Sequence, residues 1–316
     1  MGELAVRTQD LSRTYGSTIA VNALNLAVPT GSVFGLIGPN GAGKSTAIRL
    51  LLGLLKPSSG CASVLGFDTM TEADRIRERS GAVLDFCSLY DHLSALENLE
   101  FYGRIWRISA TDRRARAREL LGRLGLWERR GELVHGWSRD LRQRLCIARS
   151  IFHRPSILFL DEPTAGLDPL AAAAVQRDLA EAAAAEAMTV VLTTTNLAQA
   201  ETLCTHVAVM NRGVLLAGGP IGEICSYGAR PRLEIVGRGF TDEVVTLLAR
   251  RPEIAAISRL DNGLALDLIG NVDTAPLVSL LVESSADVEE VKKNRVSLQA
   301  AFMTLVQQSR RLEELS

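Results

Sequence analysis

Cysteine and histidine are scarce in this chain, and neither is clustered. The five cysteines (Cys61, Cys87, Cys146, Cys204 and Cys225) form no C-x-x-C pair, and the four histidines are equally dispersed. That spacing argues against a structural metal site, and an odd number of unpaired cysteines fits a reducing cytoplasm. No apolar run reaches the roughly eighteen residues needed to cross a bilayer. Met1 to Arg7 lack a basic stretch followed by a long apolar core, so no signal peptide is expected. Neither sign of charge is in excess. The 35 basic and 36 acidic residues leave a net charge of −1, which gives no global drive toward nucleic acid or an anionic membrane. What remains is a chain of 316 residues, 47% hydrophobic and 22% charged, with material for one large domain and a smaller one.

One stretch organises the rest. Gly38-Pro39-Asn40-Gly41-Ala42-Gly43-Lys44-Ser45-Thr46 fits the phosphate-loop pattern G-x-x-x-x-G-K-[ST] without a gap. Glycines let the backbone turn with positive φ and approach a polyphosphate closely, so that a row of N–H groups points inward. Lys44 supplies a compact positive charge for the β- and γ-phosphates, and Ser45 a hydroxyl for Mg²⁺. The apolar Ser32–Ile37 before the loop reads as a buried strand, and Thr46–Leu52 after it as a helix whose N-terminus faces the anion. The pattern implies ATP or GTP as ligand.

A second carboxylate-bearing stretch follows about 115 residues later. Ser156–Leu160 has the pattern of a fully buried strand and runs into Asp161-Glu162-Pro163. A carboxylate at the carboxyl end of such a strand can hold Mg²⁺ through water, and a second one beside it is suited to polarise the attacking water. Ala171–Met188 reads as an alanine-rich helix and Thr189–Thr193 as a further buried strand, an alternation that implies a mainly parallel sheet.

Other segments are less specific. Residues 3–8 and 19–28 have strand character around a turn at Thr14-Tyr15-Gly16-Ser17. Tyr15 fits either an aromatic at a strand end or a ring stacked on an adenine base. From about 85 to 150 the texture is helical and rich in arginine: Arg104, Arg107, Arg113, Arg114, Arg116, Arg118, Arg123, Arg129 and Arg130. Such a run reads as a solvated helix face, with a protein contact or a membrane-proximal surface as sharper alternatives. Few aromatics interleave with it, which disfavours nucleic acid.

Gly218-Gly219-Pro220 begins a boundary, beyond which short elements follow in the order β-α-β-β-α-β plus one helix, with Asn262-Gly263 as a hairpin turn. That order matches a ferredoxin-like unit, read here as a regulatory or dimerisation module.

Together these stretches resemble the nucleotide-binding subunit of ATP-binding-cassette (ABC) transporters. Residues 3–220 match the cassette in order: Tyr15 the adenine-stacking aromatic, 38–46 the Walker A loop, Ile157–Glu162 Walker B, and Ala165-Gly166-Leu167-Asp168 the D-loop. Ser138 to Arg144 occupies the signature segment, and the appended domain resembles that of bacterial drug- and polyketide-exporter ATPases. The resemblance implies an α/β fold, a P-loop cassette domain over residues 1–225 with a helical subdomain at about 85–150, and an α+β accessory domain over 226–316. It implies ATP and Mg²⁺ as cofactors, permease subunits and a second cassette subunit as partners, and a peripheral place on the cytoplasmic face of the membrane. In that family two cassettes sandwich two ATPs, each held between one subunit's Walker A and the other's signature loop. Lys44 and the loop amides then bind phosphate, Ser45 and Asp161 organise Mg²⁺, and Glu162 orients water.

Three positions depart from the family's pattern. Its signature is roughly L-S-G-G-Q, whereas this chain has Trp137-Ser138-Arg139-Asp140-Leu141, with Ser138 kept and both glycines gone. Asp140 brings a carboxylate toward the partner's γ-phosphate, where like charges repel. Asp85 stands at the Q-loop glutamine position, from which a carboxylate still reaches a metal through water. Thr195 stands at the switch histidine, and its hydroxyl can donate a hydrogen bond but carries no charge. Two readings follow: an exporter ATPase with slow or asymmetric turnover, or an ATP-binding, dimerising switch that hydrolyses little. A soluble cassette acting on ribosomes or DNA is the weaker third, because such proteins carry a second cassette or long coiled-coil inserts.

Overall fold

The computed structural model describes residues 3–84, 89–227, 231–269, 272–294 and 297–314. The chain divides into two compact units, Met1–Ile221 and Gly222–Ser316.

The first unit opens with β1 (Leu4–Tyr15), β2 (Thr18–Leu24), β3 (Ala27–Pro29), β4 (Val33–Ile37) and α1 (Lys44–Leu51), followed by β5 (Ser59–Val64) and β6 (Phe67–Asp68). An antiparallel sheet forms in the order β2-β1-β5-β6, with β3 also paired to β1. Tyr15 and Thr18 pair across the hairpin, so only Gly16 and Ser17 make the turn. The expected four-residue turn is tighter because Gly16 takes a φ of 56°. Helix α1 begins at Lys44, two residues earlier than expected, and buries Ile48 and Leu51 completely beneath this sheet's core. Each such side chain contributes about 1.5–3 kcal/mol when removed from water.

Next come α2 (Ala73–Glu78), β7 (Ser80–Val83), α3 (Ala95–Ile105), α4 (Ala110–Arg123), α5 (Arg139–Ser150), β8 (Ile157–Asp161), α6 (Pro169–Glu186), β9 (Thr189–Thr194), α7 (Leu197–Leu203), β10 (His206–Asn211) and β11 (Val214–Pro220). The second sheet has the order β11-β10-β4-β9-β8-β7 and is parallel except for the edge pair β10–β11. Gly218, Gly219 and Pro220 belong to that edge strand rather than to a linker, a place where proline's missing N–H costs no ladder bond. The two central strands, β4 and β9, end side by side, and β8 ends next to β9. Their carboxyl ends therefore gather the phosphate loop, Asp161-Glu162 and Thr193–Thr195 at one edge.

The arginine-rich segment is not simply a solvated face. Helix α3 starts with a capping box between Ser94 and Glu97, and α4 with a Ser109 cap. Arg116, only 4% exposed, donates to the carbonyls of Ile151 and Phe152 at the end of α5 and pairs with Glu186 at 2.8 Å. Arg123 reaches the same Glu186, and Arg118 and Arg130 stack on Trp127. A guanidinium covering helix-end carbonyls satisfies acceptors that the helix itself leaves open. Cys61, Cys204 and Cys225 are free thiols, but Cys146 is disulfide-bonded, contrary to the expectation of five unpaired cysteines. Cys87 lies outside the described residues.

The second unit begins within the short α8 (Ile221–Cys225) and continues through β12 (Arg232–Arg238), α9 (Asp242–Ala249), β13 (Ile254–Leu260), β14 (Gly263–Leu268), α10 (Ala275–Glu283), β15 (Asp287–Asn294) and α11 (Leu298–Glu314). Its sheet has the order β13-β14-β12-β15, antiparallel throughout, the arrangement of a split β-α-β unit. Alternation along β14 sends Leu264, Leu266 and Leu268 into a core with Leu233, Ile235 and Leu248.

Candidate nucleotide site

The chain leaves β4 at Ile37, turns through the glycine-rich loop, and enters α1 at Lys44. Two glycines are required by close approach. A Cβ on Gly38 would lie 2.2 Å from the Met210 carbonyl oxygen; Gly43 has a φ of 97°, and its Cβ would lie 2.1 Å from the Ala20 carbonyl. The loop is braced from outside by residues no motif points to. The Gly213 N–H donates to the Ala42 carbonyl at 3.0 Å, and the Asn22 N–H donates to the Gly213 carbonyl at 2.9 Å. Pro39, Asn40 and Gly41 form the exposed rim, while Thr46 lies half-buried in the first turn of α1.

Lys44 is 5% exposed, and its Nζ donates to the carbonyls of Gly38 and Pro39 at 2.7 and 3.1 Å. The same ammonium stands 3.4 Å from Glu162 Oε1. Ser45 Oγ donates to Asp161 Oδ1 at 3.0 Å. Glu162 follows β8 with a φ of 47°, a left-handed conformation that costs a non-glycine residue about 1–2 kcal/mol. Its N–H donates to Thr193 Oγ1 at 3.0 Å and to the Thr193 carbonyl at 3.2 Å, which holds the turn. Glu162 Oε2 accepts from the Thr195 N–H at 3.2 Å.

Two carboxylate oxygens, Asp161 Oδ2 and Glu162 Oε1, are buried without a hydrogen-bond partner. Glu162 Oε1 has the Lys44 ammonium beside it, whereas Asp161 Oδ2, next to the Ser45 hydroxyl, fits a hard cation with its water, the preference of Mg²⁺ for oxygen donors.

The signature segment has different surroundings. Ser138 stands exposed at the N-cap position of α5 without a side-chain capping bond, and its hydroxyl donates instead to Asp140 Oδ1. That bond, with backbone N–H groups and Arg144 adding to it, holds the Asp140 carboxyl below the usual range. The Arg139 guanidinium lies flat on Gly166 of the D-loop, where a glycine Cβ would meet its Nη1 at 2.1 Å. Arg139 and Gln143 line a cavity of about 210 Å³ together with Asp161, Glu162, Ala165 and Leu167. Ser138 does not line that cavity.

Tyr15 ends β1 and is 42% exposed, with the Arg13 guanidinium 4.7 Å from its ring centre. Thr195 meets Glu162 through its backbone, and Asp85 lies outside the described residues. Sequence reasoning missed Thr193 and Gln199. Gln199 is 2% exposed, and its Oε1 accepts from Thr164 at 2.8 Å and from Thr194 at 3.0 Å. The readable signal was the run Thr193-Thr194-Thr195 closing an apolar strand, because buried hydroxyls must find partners.

Comparison with known proteins agrees with this geometry. The family model described as ABC transporter matches residues 21–165. The daunorubicin/doxorubicin resistance ATP-binding protein DrrA of Streptomyces peucetius is 42% identical over 70% of this chain and 67% of its own. The daunorubicin resistance ATP-binding protein DrrA3 of Streptomyces coeruleorubidus is 33% identical over 99% of both chains. The bacitracin transport ATP-binding protein BcrA of Bacillus licheniformis is 32% identical over 95% of this chain and 97% of its own. Among solved structures, an ATP-binding subunit of an ABC transporter superposes with a TM-score of 0.63 at 28% identity, covering 70% of this chain and 92% of that one. With a phosphate loop, paired carboxylates at the end of β8 and full-length relatives of this kind, the chain belongs to the ATP-binding proteins of the ABC transporter family.

Proposed function

We propose that the chain binds Mg·ATP at the edge formed by β4, β8 and β9 and hydrolyses it to drive a separate transmembrane permease. One observation carries the reading: Lys44 and Ser45 at the start of α1 meet Glu162 and Asp161 at the end of β8, at 3.4 and 3.0 Å respectively. Lys44 stands where loop carbonyls and Glu162 compensate its charge, so an incoming phosphate replaces Glu162 as its partner. Ser45 and Asp161 are the groups that would hold Mg²⁺, which when bound supplies positive charge at the phosphate oxygens. Glu162, with Oε2 held by the Thr195 N–H and Oε1 ion-paired to Lys44 without a hydrogen bond, is suited to orient the attacking water and take its proton once phosphate claims the lysine. Thr195 supplies no charge there, which favours slow turnover.

Among the described residues no helix is long and apolar enough to cross a membrane, so the permease is a separate subunit in this reading. The chain sits peripherally on the cytoplasmic face, with a second cassette subunit completing each ATP site. Residues 226–316 act as an accessory module. Relatives named for daunorubicin/doxorubicin resistance and bacitracin transport support export of a drug-like compound.

A second reading, a switch that binds ATP and hydrolyses little, has an observation of its own. The Ser138 hydroxyl is engaged by Asp140, and Arg139 rests on the chain's own D-loop. The deciding measurement is Mg·ATP turnover of the purified chain, alone and with its membrane subunit, beside Glu162→Gln. Turnover that vanishes in the variant supports the motor, whereas tight binding with no turnover above the variant supports the switch.

A further inference from the structure

We propose that Thr193 is the positioning residue of this site: its one hydroxyl orients the Asp161 carboxylate and braces the backbone turn that carries Glu162, independently of the Ser45 hydroxyl that would serve the metal. The inference rests on the cassette reading above and deepens it.

Thr193 is fully buried at the end of β9, in register with Asp161 across the parallel β8–β9 pair. Its Oγ1 accepts from the Glu162 N–H at 3.0 Å and donates its own proton to Asp161 Oδ1. Ser45 donates to that same Oδ1. With both donors on Oδ1, the carboxylate plane is fixed and Oδ2 is the oxygen left without a partner. The two donors are not equivalent. Ser45 stands in the first turn of α1, where the phosphate-loop pattern assigns its hydroxyl to a metal. A hydroxyl that coordinates a cation does so through an oxygen lone pair, so Ser45 would have to serve both the metal and Oδ1, whereas Thr193 serves Oδ1 without that second demand.

On Glu162 the residue acts through the backbone. The left-handed turn at Glu162 is held by its N–H, shared between the Thr193 hydroxyl and the Thr193 carbonyl. Removing the hydroxyl leaves the carbonyl bond, so the turn survives with one restraint fewer. A second bridge, Gln199 to Thr164 and Thr194, anchors the chain on either side. Loss of Thr193 Oγ1 therefore loosens the carboxylates without unfolding the strand. Outer-shell groups of this kind are worth about ten- to a hundredfold in metal affinity or activity.

The test compares Thr193→Val, which keeps the β-branched shape and deletes the hydroxyl, with Thr193→Ser, which keeps the hydroxyl. Mn²⁺ binding to the full-length chain with ADP is followed by electron paramagnetic resonance, and ADP binding in EDTA is measured separately. The expected result is Mn²⁺ affinity about tenfold or more weaker in Thr193→Val and within about twofold of the parent in Thr193→Ser, with metal-free ADP affinity unchanged in both. Equal Mn²⁺ affinity in Thr193→Val and the parent overturns the inference. Equal weakening in Thr193→Ser also overturns it, by showing that the site responds to packing and not to the hydroxyl. If Thr193→Val does not fold, Thr193→Cys carries the same comparison with a poor donor in place of a good one. A parent chain that binds no ADP overturns the cassette reading itself, which is a distinct outcome.

Discussion

The phosphate-loop cluster and the signature cluster belong to the same unit, yet they are built oppositely. Lys44 and Asp161 are each 5% exposed and Thr193 is fully buried, and every one of them is held by groups from another element. Ser138 and Arg139 are exposed at the free end of α5, and their contacts are local or rest on a glycine surface. Burial makes the first cluster intolerant, because deleting one partner strands another polar group away from water. Exposure lets the second cluster vary at little cost in stability.

The largest expected effect separates the clusters directly. Glu162→Gln keeps the size and the Thr195 contact but cannot take a proton, so turnover falls by about a hundredfold or more while ATP binding persists. Steady-state phosphate release beside equilibrium nucleotide binding checks this. A variant that retains turnover would break the assignment of the buried cluster to the chemistry.

Next in size is a pH effect at the far, packed end of α5. His153 stacks on Trp106 at 4.0 Å and pairs Nε2 with the Ser80 carbonyl at 3.1 Å, and burial lowers its pKa to about 4. The unfolded chain therefore binds the proton more tightly. Stability is complete above about pH 6.5 and is lost as pH falls toward 4, by roughly 1–3 kcal/mol. Denaturant titrations at pH 7.5 and 5.0 should show this loss, and His153→Gln should flatten it.

Smaller again is the repair of the signature. Asp140→Gly releases the Ser138 hydroxyl and removes a carboxylate held in its charged form. Turnover of the assembled transporter should rise by up to about tenfold, the scale of one hydrogen bond to a charged group. No rise, or a fall, would show that this end of α5 has adapted around the aspartate. The smallest effect is on folding: Arg139→Ala should change stability by less than about 0.5 kcal/mol in thermal melts, since the residue is largely exposed and rests on a glycine alone.

How much was legible depended on whether chemistry or packing set the position. The phosphate loop and Asp161-Glu162 were readable because phosphate binding demands glycine, lysine and serine at fixed spacing. The strands β4, β8 and β9 were readable because burial on both faces leaves apolar runs. The arginine run was misread in part. Arg116 looks like any solvated arginine in sequence, and only the nearness of α5 and Glu186 makes it a buried clamp. The paired state of Cys146 was equally invisible, because the scattered cysteines show no spacing that announces a disulfide.

By itself, the amino-acid sequence determined that this protein carries a phosphate loop and paired carboxylates on a mainly parallel sheet. Those features are local, a few consecutive residues obeying one chemical requirement. Tertiary structure alone decided that Thr193 bridges Asp161 and Glu162, that Gly213 and Asn22 brace the loop, and that Arg139 lies on Gly166. These contacts join residues far apart along the chain, through hydrogen bonds and close approaches that exist only once parallel strands have aligned their ends.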